Sequence, residues 1–210
     1  MKIGGHIPSQ MSSVQSVADT GHLTATTATG IPSGKLGMWV FLASEVMFFT
    51  GLIGAYIVLW LGHPSWPGAD AHLSVAIGTI NTLILICSST TIVMALAASG
   101  RGATRAMRGW LIATILLGSL FLVIKGLEYH AKFSHHILPS TNIFWSCYFT
   151  LTGFHALHVL GGIVFNLMVL RWMFRPALWS SRRHRLELAG LYWHFVDIVW
   201  IFLFPLLYLF

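Results

Sequence analysis

The chain has 210 residues, of which 56% are hydrophobic and only 9% are charged, and its formal net charge is +6. Ordinary soluble domains carry roughly 25% charged residues, so this composition excludes a water-soluble globular domain and predicts a membrane domain. The positive charge does not indicate nucleic-acid binding, because the basic residues lie in short loops between apolar runs.

The apolar runs predict five membrane-spanning helices after a polar tail. Residues 1–35 are rich in Ser, Thr and Gly and lack the apolar core of a secretory signal, so we expect a cytoplasmic polar tail. Each later run is long enough to cross a bilayer, which takes about 20 apolar residues. The predicted spans are 36–61, 73–98, 109–127, 143–170 and 188–210. The expected fold class is all-α, a polytopic bundle of five transmembrane helices formed by residues 36–210.

Lys and Arg residues predict the orientation of these spans. Ten of the twelve basic residues fall before span one, between spans two and three, or between spans four and five. Because cytoplasmic loops are enriched in Lys and Arg, we expect a cytoplasmic amino terminus and a carboxyl terminus outside.

Several ionisable residues lie within the predicted spans. Glu45 is in span one, His155 and His158 are three residues apart in span four, and His194 and Asp197 repeat that spacing in span five. The spacing predicts that each pair lies on one helix face. Because a charge near the bilayer centre costs about 2.5 to 3.5 kcal/mol on insertion scales, such residues indicate a proton relay, a metal site or interhelical hydrogen bonding. No cluster of three metal ligands is readable, so we expect neither a metal site nor a catalytic residue.

Two further acidic residues lie at predicted helix ends. Glu128 is three residues from Lys125, a spacing that allows the two side chains to pair on one helix. Glu187 begins span five, where a carboxylate favours the positive end of the helix dipole.

Four motifs resemble one known family. Residues 192–200 read Tyr-Trp-His-Phe-Val-Asp-Ile-Val-Trp, and residues 152–159 read Thr-Gly-Phe-His-Ala-Leu-His-Val. Residues 44–49 read Ser-Glu-Val-Met-Phe-Phe, and residues 128–129 are Glu-Tyr. Taken in their order along the chain, the four motifs are similar to those of cytochrome c oxidase subunit III, in the short bacterial form with five spans.

The resemblance implies a subunit of a proton-pumping haem-copper oxidase that itself contains no haem or copper. Those cofactors would lie in partner subunits, and this chain would flank subunit I near the mouth of its proton-uptake channel. The resemblance also implies other oxidase subunits as partners, bound phospholipid, and a bacterial cytoplasmic membrane engaged in aerobic respiration. It leaves open whether the complex joins a respiratory supercomplex.

Particular residues acquire expectations from the same resemblance. Glu45 corresponds to the family's carbodiimide-reactive buried carboxylate. The remaining polar residues of the motifs are Glu128, His155, His158, Glu187, His194 and Asp197. Independently of the family, Arg171 and Arg175 follow span four and are expected to bind anionic lipid head groups.

Two alternative functions stay open. Within the family, the chain could serve a quinol oxidase or a nitric-oxide-reductase-associated homologue, although Glu45 and Tyr192 favour cytochrome c as the electron donor. In a different class, buried polar residues could line the substrate path of a stand-alone transporter. Pro205 is the only proline within a predicted span, so the broken helices typical of such transporters are not indicated.

Overall fold

A computed structural model describes residues 33–67, 73–175, 179 and 183–209. Within these ranges the chain forms five long helices: α1 (Ser33–Gly62), α2 (Val75–Gly100), α3 (Thr104–Ser134), α4 (Ile143–Met173) and α5 (His184–Tyr208). All five are long and apolar enough to cross a membrane, and the described ranges contain no strand. The predicted all-α class with five spans is confirmed.

Helix ends differ from the apolar runs that predicted them, most of all in α3. This helix begins at Thr104 and ends at Ser134, whereas its apolar run covers residues 109–127. Polar residues of good helix propensity continue the backbone hydrogen bonding beyond the apolar segment. Lys125 and Glu128 therefore lie within α3 and not at its end.

The chain divides into two compact units between Trp39 and Val40. Of the first unit the described part is residues 33–39, the beginning of α1. Most of the predicted tail lies outside the described residues, so its separation from a membrane domain stays a prediction. The contacts below all lie within the second unit.

Four helices pack closely against one another in a ring. The close pairs are α2 with α3, α3 with α4, α4 with α5, and α5 with α2. Helix α1 reaches this four-helix core through side chains: the Tyr56 hydroxyl donates to the Leu206 carbonyl at 3.3 Å, and Phe48 meets Phe154 edge to face. An interface made by long side chains leaves a groove beside α1, described below.

Trp193 of α5 lies at the centre of the ring and is fully buried. Its indole N–H donates to the Ser88 hydroxyl of α2 at 3.0 Å. A Cβ atom at Gly118 of α3 would lie 2.5 Å from the Trp193 ring, and one at Gly162 of α4 would lie 2.8 Å from it. Both positions need glycine because the indole fills the space of a side chain, so one tryptophan fixes three neighbouring helices.

Helices α2 and α5 run antiparallel along a seam that repeats this pairing of large and small groups. The Trp200 indole donates to the Thr82 hydroxyl at 3.0 Å, and the Arg183 guanidinium donates to the Ser99 carbonyl at 3.0 Å.

One end of the four-helix core is rich in arginine because α2 and α4 end there and α3 and α5 begin there. The arginine-rich end contains Arg101, Arg105, Arg108, Arg171, Arg175, Arg183 and Arg185.

Candidate functional site

Glu45 and His158 form an interhelical pair between α1 and α4. The Glu45 Oε2 atom lies 3.0 Å from His158 Nε2, and the two side chains are only 20% and 17% exposed. The pair is therefore mostly buried within the span of both helices. The sequence shows no basic residue near Glu45 in its own helix, and the structure supplies the partner from 113 residues away.

The geometry fixes how many protons this pair holds. His158 Nδ1 lies 2.8 Å from the Phe154 carbonyl oxygen, which can only accept, so Nδ1 is the protonated donor there. The contact between Nε2 and Oε2 then requires one further proton, located either on the imidazole or on the carboxyl group. In both states the pair has one shared proton and zero net charge, which is the arrangement that a low-dielectric site tolerates.

Aromatic side chains enclose the pair. The Phe49 ring meets the imidazole of His158 edge to face at 5.1 Å. The Tyr192 hydroxyl donates to the His158 carbonyl at 3.0 Å, which attaches α5 to the same turn of α4. Phe41 of α1 stacks on Tyr192 of α5, so both helices contribute aromatic side chains to the enclosure. The enclosure restricts both the orientation of the imidazole and the access of water to it.

His155 and His158 contact different helices, although the spacing predicted a shared face. His155 is completely buried and lies between Phe121 of α3 and Trp200 of α5. Residues three apart are offset by about 60° around a helix at 3.6 residues per turn. Here this offset directs His155 towards α3 and α5 and His158 towards α1. Neither ring nitrogen of His155 has a hydrogen-bond partner within the described part of the chain.

His194 and Asp197 remain together on one side of α5 and both face Ser89 of α2. The Ser89 hydroxyl is 2.7 Å from His194 Nδ1. It also lies close to the buried Asp197 carboxyl group, but outside hydrogen-bonding geometry. This arrangement joins two helices, as interhelical polar contacts commonly do.

Lys125 and Glu128 form a buried ion pair, which confirms the pairing expected from their spacing. Lys125 Nζ lies 3.0 Å from Glu128 Oε2, and the side chains are 5% and 6% exposed. Tyr148 of α4 and Tyr208 of α5 donate to Glu128 Oε1 at 2.9 and 2.7 Å. The Lys125 ammonium lies 5.0 Å from the centre of the Trp200 ring, a distance typical of a cation–π contact. The cluster of Lys125, Glu128, Tyr148 and Tyr208 joins three helices.

The groove beside α1 is separated from the arginines predicted to bind lipid. It has a volume of about 210 Å³ and is lined mainly by apolar side chains, including Leu52 and Tyr56 of α1 and Cys147 and Leu151 of α4. Arg171 and Arg175 are exposed at the opposite end of α4. Cys147 and Arg171 are about 36 Å apart along the helix at 1.5 Å per residue, so the groove and the arginines lie at opposite ends of α4.

Glu187 is exposed in the first turn of α5, at the arginine-rich end. It lines a second cavity together with Arg183 and His184. Among the described residues, no group of three or more His, Cys, Asp or Glu side chains is arranged to hold a metal ion.

Sequence reasoning missed the hydroxyl groups that complete these contacts. Tyr148, Tyr208 and Ser89 lie in other helices from the ionisable groups they contact, and no spacing rule connects residues in different helices. The available signal was polar residues in apolar spans, because such groups need partners in a bilayer.

A family model described as cytochrome c oxidase subunit III matches residues 10–210. The chain belongs to the cytochrome c oxidase subunit III family. Subunit 3 of the cytochrome c oxidase of Thermostichus vulcanus is 40% identical over 175 residues, which cover 83% of this chain and 86% of the relative. The corresponding protein of Corynebacterium diphtheriae is 37% identical over 177 residues, with the same coverage.

One relative in this family has a different electron donor in its name. The cytochrome bo(3) ubiquinol oxidase subunit 3 of Pseudomonas aeruginosa is 31% identical over 173 residues, covering 82% of this chain and 83% of the relative. Membership in the subunit III family makes this chain a multi-pass membrane subunit of a haem-copper oxidase complex. It decides between the two classes that the sequence left open, in favour of an oxidase subunit over a stand-alone transporter.

Proposed function

We propose that this subunit supports proton uptake and sustained turnover by the catalytic subunit of a proton-pumping terminal oxidase. The single observation that carries the proposal is the 3.0 Å contact between Glu45 Oε2 and His158 Nε2 within two membrane-spanning helices, a contact that hydrogen bonding satisfies with one shared proton. Carboxylate and imidazole groups at this depth are expensive and often mark proton pathways. A pair that can hold its proton on either member is suited to respond to proton movement in a neighbouring subunit.

The arrangement of partners and termini follows from the same proposal. Subunit I is the main contact, haem and copper lie in the partner subunits, and the complex is in a bacterial cytoplasmic membrane. The arginine-rich end faces the cytoplasm, because loops rich in Lys and Arg stay on that side. Glu45 and His158 do not contact oxygen or the electron donor in this proposal. They act indirectly, by supporting proton uptake in the partner subunit.

Bound phospholipid completes the proposed role. The groove between α1 and α4 is predominantly apolar and open, so it accepts an acyl chain from the surrounding bilayer. Arg171 and Arg175 bind anionic head groups at the arginine-rich end through charge-assisted hydrogen bonds. Because these features lie at opposite ends of α4, they hold two different lipid molecules.

Cytochrome c is the proposed electron donor, and quinol is the second candidate. The relatives named as cytochrome c oxidase subunits reach 40% identity, whereas the ubiquinol oxidase subunit is 31% identical. The donor is bound by other subunits, so turnover of the purified complex with reduced cytochrome c and with a quinol distinguishes the two.

The proposal is tested with the complete oxidase purified in mild detergent and reconstituted into vesicles. Glu45→Gln and His158→Gln are expected to lower the protons pumped per electron and to shorten the period of steady turnover, while haem content and subunit stoichiometry stay unchanged. Ser44→Ala is the matched control. Ser44 is next to Glu45 in sequence, but its hydroxyl donates to the Phe41 carbonyl of its own helix and not to the pair.

Subunit retention separates the proposed role from a merely structural one. If either variant lost this chain from the complex, the pair would be an assembly contact and the proposal would fail. Unchanged pumping and turnover in an intact complex would also contradict it.

A further inference from the structure

Two fully buried polar side chains in the four-helix core lack hydrogen-bond partners. His155 of α4 and Asn81 of α2 are both 0% exposed. Within the described part of the chain, the two ring nitrogens of His155 and the oxygen and nitrogen of the Asn81 amide make no hydrogen bond. Because a buried polar group without a partner destabilises a fold, most such groups in proteins are paired with protein or with ordered water.

Trp200 of α5 lies beside both groups. Its indole N–H donates to the hydroxyl of Thr82, the residue that follows Asn81, and its ring centre lies 5.1 Å from that of His155. Phe121 of α3 meets the rings of His155 and Trp200 edge to face, at 5.6 and 4.9 Å. The unpartnered groups therefore flank one aromatic layer of the core, formed by Phe121 and Trp200.

The register of α2 against α3 gives the depth of Asn81. These consecutive helices are antiparallel, and the hydroxyls of Thr91 and Thr114 are 2.8 Å apart between them. Counting equal steps from this contact places Asn81 about one helix turn from Phe121, the residue of α3 that contacts His155. One turn is about 5.4 Å, and two consecutive hydrogen bonds of about 2.9 Å each span a similar distance.

The chemistry of the two groups matches water. A neutral imidazole has one donor and one acceptor, and a carboxamide has two donors and an acceptor oxygen. Water both donates and accepts, and a buried water molecule makes about three hydrogen bonds to groups that otherwise lack partners. An apolar ligand would leave these groups unpaired. A metal ion is not indicated, because no suitable group of three His, Cys, Asp or Glu side chains exists among the described residues.

We propose that the four-helix core contains a buried water site between His155 and Asn81, beside the aromatic layer of Phe121 and Trp200. Water in this site donates to the unprotonated ring nitrogen of the histidine and accepts from the Asn81 amide. It thereby joins α2 to α4, which face each other across the ring of helices and make no close backbone contact. The site is separate from the interhelical pair on which the proposed function depends.

Radiolytic footprinting of the intact oxidase complex tests for this water. Brief X-ray pulses generate hydroxyl radicals from water molecules in place, and these radicals oxidise adjacent side chains that bulk solvent does not reach. Trp200 and Trp193 are a matched pair, because both are 0% exposed and both donate to a hydroxyl of α2. The complex is equilibrated without dioxygen in water labelled with heavy oxygen, irradiated, and analysed by mass spectrometry. Labelled oxygen is expected at Trp200 and not at Trp193.

Two variants connect the oxidation with the proposed hydrogen bonds. Asn81→Leu/His155→Leu removes all four polar atoms and keeps side chains of similar size. Its Trp200 oxidation is expected to fall to the level of Trp193. His155→Gln is the matched control, because its amide keeps a donor and an acceptor, and it is expected to retain the labelling.

Three results would overturn the inference. Equal background oxidation of Trp200 and Trp193 in the wild type would indicate a direct hydrogen bond between His155 and Asn81 in place of water. Undiminished Trp200 oxidation in the double variant would show that other groups hold the water. Equal loss of labelling in His155→Gln and the double variant would indicate a change of packing.

The wild-type comparison keeps the inference testable if a variant fails to assemble. In that case the difference in oxidation between Trp200 and Trp193 alone decides the question. The readout is the position of oxidation and not turnover, so failure here would leave the proposed function unaffected.

Discussion

Replacing Glu128 by Leu is expected to destabilise the helix bundle by about 3 to 5 kcal/mol, the range for removing one member of a buried ion pair. The substitution removes one contact from Lys125 and two from the hydroxyls of Tyr148 and Tyr208. Lys125 would remain only 5% exposed, so its ammonium cannot recover the lost interaction from water. The unpaired charge accounts for most of the predicted loss.

The double variant Lys125→Met/Glu128→Leu separates this charge effect from packing. Replacing both members of a buried pair by apolar residues is often neutral or stabilising, so the double variant is expected to recover most of the stability lost by Glu128→Leu. Glu128→Gln keeps an acceptor for the tyrosine hydroxyls, and its stability is expected to lie between those of Glu128→Leu and the double variant.

The assay is unfolding of the purified chain in mixed micelles of mild detergent and dodecyl sulfate. Unfolding is monitored by the change in tryptophan fluorescence. Together with the single variant Lys125→Met, the variants Glu128→Leu and Lys125→Met/Glu128→Leu form a cycle that gives the coupling free energy directly. A loss below about 1 kcal/mol for Glu128→Leu would match an exposed surface pair and refute the argument that the cluster is buried and dry.

Three other contacts give further predictions, of which the first two use the same unfolding measurement and the third uses hydrogen exchange. Gly162→Ala is expected to cost about 1 to 3 kcal/mol by overpacking, because the new Cβ lies 2.8 Å from Trp193; Gly126→Ala, which meets nothing within 4 Å, is the control and should be neutral or slightly stabilising. Ser88→Ala is expected to cost about 1 kcal/mol by leaving the buried Trp193 indole N–H without its acceptor, and a change within error would show that another group replaces the hydroxyl. Arg108→Met is expected to destabilise the end of α4, since Arg108 donates to the Met173 carbonyl and lies over the Phe174 ring; faster hydrogen exchange confined to the last turn of α4 would support this, and unchanged exchange would contradict it.

Membrane spans were predictable because their signal is local. Five apolar runs of sufficient length require five helices, since a bilayer leaves backbone groups no other partners than those within the helix. The ends were less predictable, as α3 shows. Its polar residues after position 127 continue the helix to Ser134, and hydropathy alone cannot distinguish a helix that projects from the membrane from one that ends at it.

Contacts between helices were predictable only where sequence spacing determines them. The Lys125–Glu128 pair lies on one helix, and its spacing predicted it. The Glu45–His158 pair joins helices separated by two others in sequence, so residue types indicated a need for partners without identifying them. The divergence of His155 from His158 depends on where neighbouring helices meet α4, which is a property of the assembled bundle.

The most direct test of the assignment to an oxidase is the optical spectrum of whatever copurifies with this chain in mild detergent. A reduced-minus-oxidised difference spectrum with haem bands, together with larger subunits at fixed stoichiometry, is the result that the proposed function predicts. A homogeneous, haem-free protein that transports a solute when reconstituted would contradict it.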